Sequence, residues 1–325
     1  MSSLTIDPVA YARAAAQVKF KNIAALTDFS PCSSSALNLA VQMARYNNSN
    51  VSLIHAIEPS RFEPLEDGEN VFEQLFKKAE SNIREEEQKL EALRHDLMVH
   101  RGTASELLQH LTQLQPLDVV VLGTIGMGCS SKDEVLGRTA RQILTDATFP
   151  VLTVGCKFAD HECFPELTHI LVPMGAVSEP SAAISYGELL TAKHQAHLAL
   201  LQVVPSKAPP CSQEAAWMKD SYRSRMSDVP LSHPELKYPP QCLVEFAEDP
   251  AEGVLRVAEK FPASLIVLQK SAWKEKSLNS DRSSTYLTIL LQAPCPVLTV
   301  SEDWLASEPA HGGAKPATLS STKVI

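Results

Sequence analysis

The loop GTIGMGCSSKDEVLGRT, residues 123–139, carries the residues best suited to chemistry. Gly123, Gly126 and Gly128 lack a Cβ, so the backbone there can take positive φ and meet a ligand closely, as a phosphate cradle requires. Gly137 stands where a helix should begin, and the free amides and positive end of that helix suit an anion. Arg138 adds a positive charge and Thr139 a hydroxyl donor. On a distant segment, Asp28 can accept hydrogen bonds from a ribose. Each residue also has a plainer role. Glycines after a strand are often only turn formers. Asp28, followed by Ser30, Pro31 and Ser33, reads equally well as the cap of a helix. What favours a ligand is that the fold should bring Asp28 and the loop to one place.

The periodicities say where that place is. Ile23–Leu26, Val51–Ile57, Leu97–His100, Val119–Leu122 and Val151–Val154 are short apolar runs that read as strands. Between them lie helical stripes: Ala36, Leu37, Ala40 and Ala44; then Phe72, Phe76, Ala79, Ile83 and Leu90. A third stripe runs from Leu107 to Leu114, and a fourth holds Ala140, Ile143, Leu144 and Ala147. The order βαβαβαβαβ with apolar strands predicts an α/β fold, a doubly wound parallel five-stranded sheet covered on both faces. With strand order 3-2-1-4-5, Asp28 ends the first strand and the glycine loop leaves the fourth. These strands are neighbours at the switch point, where open sheets bind ligands.

The whole pattern occurs twice. FPVLTV at 149–154 returns as CPVLTV at 295–300, and LDVVVLG at 117–123 as ASLIVLQ at 263–269, both at an offset of 146. At an offset of 147, KNIAALTDFS at 21–30 falls on THILVPMGAV at 168–177, and VSLIHAIEP at 51–59 on LALLQVVPS at 198–206. Such self-similarity marks a duplication. It divides the chain into an N-terminal arm (1–19), a first domain (20–155), a linker (156–168), a second domain (169–302) and a disordered tail (303–325). The two halves are expected to form an intramolecular pseudo-dimer about a pseudo-twofold axis through their fifth strands.

The second copy lacks the chemistry of the first. Gly175 replaces Asp28, Gln269 replaces Gly123, Ala272 replaces Gly126, Lys274 replaces Gly128 and Ser283 replaces Gly137. Seven prolines between Pro205 and Pro240 interrupt the region of the long helix, leaving a short helix near Glu214–Arg225. This copy therefore reads as structural.

Composition narrows the remaining classes. A net charge of -9 with no basic cluster argues against nucleic acid and anionic membrane. No apolar run approaches the ~20 residues of a membrane span, and the N-terminus has no secretory pattern, so a cytoplasmic location is expected. Seven scattered cysteines, none in a CxxC, read as free thiols in a reducing compartment. Cys156, His161 and Cys163, and separately His194 and His197, read as free or solvated side chains before they read as metal ligands. Cys129 reads as a passive loop residue rather than a redox-sensitive one. There is no GxxxxGK[ST], and the glycines follow the fourth strand rather than the first, which excludes a P-loop and a Rossmann fingerprint. No GxSxG, general base or metal cluster is visible, which argues against an enzyme and leaves room only for slow ATP hydrolysis.

The first strand ending TDFSP, LIHAIEP, LDVVVLGTIG, the spaced glycines and FPVLTV together resemble the universal stress protein family. The resemblance covers about 20–155 clearly and 169–302 weakly, as in a tandem member. It implies the fold of adenine-nucleotide α-hydrolase-like proteins and a stress-response role. It also implies binding of ATP or another adenine nucleotide, with or without magnesium, in the first domain. Asp28 and Ala56 would line the nucleoside, and Gly123, Gly126 and Gly137 the phosphates. Ten residues rather than nine separate Gly126 from Gly137, and Arg138 takes the usual hydroxyl position, which weakens the case for a triphosphate. The alternative is a scaffold that binds an apolar ligand or a protein partner, with further oligomerisation open.

Overall fold

The computed structural model describes residues 20–63, 65, 67–126, 135–158, 162–175, 181–207, 211–227, 236–270 and 285–301. Gly128, Cys129, the arm 1–19 and the tail from 302 lie outside the described residues. The chain forms two compact units, one holding Phe20–Phe164 and the other the described residues from Pro165 on.

In the first unit the strands are β1 (Asn22–Leu26), β2 (Asn50–Ile57), β3 (Arg94–Arg101), β4 (Val119–Gly123) and β5 (Val151–Val154). The helices are α1 (Pro31–Asn47), α2 (Gly68–Glu86), α3 (Ala104–Leu114) and α4 (Arg138–Asp146). The strands run parallel in the order β3-β2-β1-β4-β5. Ile23 lies opposite Val51 on one side and Val119 on the other. The central strands are buried on both faces, which is why they are apolar throughout. Edge strand β3 departs from that reading, since only Val99 in it is buried. It is held from outside by Arg101, which pairs with Glu73 at 2.6 Å and lies over the rings of Phe72 and Phe76.

Local signals set the helix ends. Ser30 caps α1 by accepting from the Ser33 N–H, with Pro31 next in line. Thr103 and Glu106 form a reciprocal capping box at α3. α2 stops at Glu86, and a tight turn through Leu90 finishes the predicted stripe.

The second unit repeats the plan with β6 (His169–Met174), β7 (His197–Pro205), β8 (Gln241–Ala247), β9 (Leu265–Lys270) and β10 (Val297–Ser301). Its sheet order is β8-β7-β6-β9-β10, the same 3-2-1-4-5 arrangement. Its helices are α5 (Ala182–His194), α6 (Ser212–Ser227), α7 (Pro250–Lys260) and α8 (Thr285–Gln292). α6 is longer than the short helix expected between the prolines, but only Met226 in it is buried. α2 in the same place buries Phe72, Phe76, Ala79 and Ile83.

Candidate functional site

The candidate site lies at the C-terminal ends of β1, β2 and β4, where the carboxylate and the glycine loop meet. Asp28 sits in the turn between β1 and α1. Its Oδ1 accepts from the Ser30 N–H at 3.1 Å, while Ser30 itself caps the helix. Capping is thus the task of Ser30, and Asp28 orders the turn ahead of it. Its other oxygen faces the loop: a Cβ built on Gly126 would lie 2.6 Å from Asp28 Oδ2. Phe29 between them has φ 63, a left-handed conformation unusual for a bulky residue. The turn is braced by the Phe29 N–H donating to Thr27 Oγ1 at 3.0 Å and by the Phe29 ring against His55, centroids 4.6 Å apart.

The glycines have different reasons to be glycine. A Cβ on Gly123 would meet the first turn of α1, 2.9 Å from the Cys32 carbonyl carbon and 3.0 Å from the Ser33 nitrogen. Its bareness lets β4 and α1 approach. At Gly126 the only close group among the described residues is the Asp28 carboxylate, so the bareness there preserves space beside a charge. Gly137 is the N-cap residue of α4, and its N–H donates to Thr124 O at 2.8 Å, closing the loop on itself. One amide of the expected anion site is therefore already engaged. Thr124 is fully buried, and its Oγ1 has no hydrogen-bond partner among the described residues. Leaving such a hydroxyl unpaired costs about 1–3 kcal/mol.

At the end of β2, Ala56 is half-buried and lies opposite His100 of β3. His55 Nδ1 is 2.7 Å from Thr27 O, so this nitrogen carries the proton and Nε2 can accept. Burial lowers the His55 pKa and keeps the ring neutral near pH 7. Burial likewise lowers that of His100.

Arg138, the first residue of α4, donates to Glu58 Oε2 at 3.0 Å, and Arg61 donates to Glu58 Oε1 at 2.7 Å. The Arg61 hydrogen bond, above all, holds the Glu58 carboxyl below its ordinary pKa. The next residue, Thr139, is exposed. The structure thus gathers Asp28, Gly126 and Gly137, with Ala56 and Arg138 on the flanking elements, and puts Gly123 against α1. The Glu58–Arg138 pair, the left-handed Phe29 and the orphan hydroxyl of Thr124 escaped the sequence reading. Of these only Glu58, the acid ending the LIHAIEP strand, left a visible signal.

The second unit differs where expected. Gly175 follows β6, with no described residue within 4 Å of an added Cβ. Gln269 extends its side chain to accept from the Ala183 N–H of α5 at 2.9 Å, alongside the Ser181 cap. Positions 272, 274 and 283 lie outside the described residues.

Two other expectations are corrected. His194 is the last residue of α5 and half-buried, not solvated. His197 opens β7 with its ring stacked between those of His169 and Tyr238, at 5.1 and 4.0 Å. Cys163 is exposed near Gln42, and His161 lies outside the described residues. Among the described residues, no group of three or more His, Cys, Asp or Glu side chains is placed to hold a metal. No described helix is long and apolar enough to cross a membrane. A groove of about 350 Å³ on the outer face of α2, lined by Lys77, Glu80 and Arg84 among others, contains no residue of the strand ends.

Comparison with known proteins agrees with the duplicated plan. The universal stress protein family model matches residues 19–155 and again 166–301. Universal stress protein A homolog 1 of Coxiella burnetii is 32% identical over 146 residues, covering 42% of this chain and 98% of that protein. A universal stress protein structure from Archaeoglobus fulgidus aligns with a TM-score of 0.60 at 16% identity, covering 87% of this chain and 99% of its own. A functionally unknown protein from Pseudomonas aeruginosa PAO1 aligns at 0.56 with 16% identity, covering 90% and 96%. At such identities the structures speak for the fold, and the family matches for kinship. The chain belongs to the universal stress protein family and carries its domain twice.

Proposed function

We propose that this stress-response protein binds one adenine nucleotide in its first repeat, works in the cytoplasm as a binding protein rather than an enzyme, and uses its second repeat structurally. The observation that carries the reading is the approach of Gly126 to Asp28 Oδ2, which sets a carboxylate beside a bare glycine at the switch point. The Asp28 carboxylate is suited to a ribose, and the Gly126–Gly137 loop to the atoms beyond it. The Thr124 hydroxyl in the same loop, without a partner among the described residues, is consistent with a site whose polar groups are completed by a ligand. Magnesium would enter with the phosphates of the ligand.

Titration calorimetry of the intact chain with adenosine, AMP, ADP and ATP tests the proposal. Asp28→Ala should weaken binding by roughly 1–3 kcal/mol, the range for losing a partner of a desolvated polar group. No binding of any of the four at millimolar concentration would instead favour the scaffold reading.

A further inference from the structure

The Glu58–Arg138 ion pair crosses the sheet at the mouth of the candidate site. Glu58 directly follows β2, Arg138 opens α4 beyond β4, and in the sheet β1 lies between β2 and β4. The 3.0 Å contact therefore joins the segments on either side of β1, the strand that Asp28 follows. Arg138 occupies the first turn of the helix at whose start phosphates would sit. Its guanidinium already has a carboxylate partner, and Arg61 on the other side holds that partner in place at 2.7 Å. The side chain of Glu58 is only 11% exposed whereas that of Arg138 is 70% exposed, so the carboxylate is the fixed member and the arginine the adjustable one. Around this mouth the described residues supply three carboxylates, Asp28, Glu58 and Glu106, the last close enough to Glu58 to act on its charge. They supply two cations, Arg61 and Arg138, both committed to Glu58. The histidines nearby, His55 and His100, are held toward the neutral form by burial.

We infer that Glu58 competes with ligand phosphate for Arg138, so that the site prefers adenine ligands with few phosphates, AMP or adenosine before ATP. This rests on the nucleotide-binding reading above and assigns its specificity. A long phosphate chain adds negative charge where one carboxylate is fixed and the adjacent cation is occupied. It must either break the ion pair or bear the repulsion. A nucleoside needs only Asp28 and the space beside Gly126.

The test compares adenosine, AMP and ATP, with and without magnesium, on the intact chain and on Glu58→Gln. Adenosine is the internal control, because it has no phosphate and does not reach Arg138. The intact chain should bind AMP more tightly than ATP. Glu58→Gln should improve ATP relative to adenosine by about fivefold, the scale of one partly exposed charge pair, with adenosine itself unchanged. ATP binding more tightly than AMP to the intact chain overturns the proposal. So does an ATP-to-adenosine ratio that Glu58→Gln leaves unaltered, while the nucleotide site itself stands. Failure of all three ligands to bind removes the underlying reading together with this one.

Discussion

The two repeats agree at the starts of their sheets and differ at the ends. In the first, Asp118 Oδ2 accepts from the Lys21 and Asn22 N–H groups at 2.6 and 2.8 Å, fixing the entry to β1. In the second, Ser264 takes the same place and its Oγ accepts from the Thr168 and His169 N–H groups at 3.0 and 2.9 Å. α1 and α5 end alike, with left-handed caps at Asn48 (φ 51) and Gln195 (φ 52). These contacts satisfy backbone groups that any copy of the fold must satisfy, so different residues supply the same bond. At the strand ends no such demand exists. There Asp28 has Gly175 as its counterpart, and bare Gly123 has Gln269, which caps α5 with its own amide. At Asp28 the difference separates what the fold requires from what only a ligand would require.

The largest effect that would break this separation concerns two glycines three residues apart. Gly123→Ala places a methyl against the backbone of α1, which cannot yield as a side chain can, so the first repeat should lose roughly 1–3 kcal/mol. Gly126→Ala meets only the end of the Asp28 side chain, which can swing aside. Its stability should stay within about 0.5 kcal/mol of the parent, while nucleotide affinity falls by about tenfold or more as the carboxylate moves. Equal thermal losses in both variants would contradict the division of labour between the glycines.

A smaller effect sharpens the comparison through pH. Burial first, and Lys193 second, lower the His194 pKa from 6.5 to about 4. The unfolded chain takes up this proton as the pH passes 6.5, whereas the folded second repeat stays neutral until about 4. Between those values the unfolded state binds more protons, so stability falls as the pH drops through that window. Because the ring is only half-buried, the loss should be about 1–2 kcal/mol rather than the full shift. The first repeat has Asn47 at the matching position, so His194→Asn should flatten the pH dependence of melting. An unchanged slope would show that this histidine does not carry it.

The smallest effect is expected at Gly175. An added side chain there meets none of the described residues, so Gly175→Asp should leave melting unchanged. It should also confer no nucleotide binding, because Gln269 still occupies the helix start that Gly123 leaves bare. Calorimetry on this variant alone is sufficient, and a second binding event would contradict the structural role given to Gln269.

Much of the fold was legible in the sequence because buried parallel strands must be apolar on both faces, and runs such as Val119–Leu122 have few other readings. Edge strand β3 was the weakest signal, since its exposed flanks are polar and its partner contacts come from Arg101. Asp28 and Gly126 were visible as types and became a pair only through the strand order that makes β1 and β4 neighbours. The Glu58–Arg138 bond was not legible, because it joins residues 80 apart in sequence through side chains on two flanking elements. Nor could residue type show that Gly123 is bare for the sake of α1 and Gly126 for the sake of Asp28; that depends on atoms brought near only by folding. The solvation expected for His194 and His197 failed for a similar reason. A polar residue beside a turn looks exposed until its neighbours, here His169 and Tyr238 around His197, are in place.

The number of ligands that one chain binds tests most directly whether the first repeat alone holds the site. Titration of the intact chain with AMP at a concentration well above its Kd gives that number without any variant. One molecule per chain, bound about tenfold or more weakly after Gly126→Ala at unchanged melting temperature, is the predicted result. Two molecules per chain, or one whose affinity Gly126→Ala leaves unchanged, would contradict the assignment of the site to the first repeat.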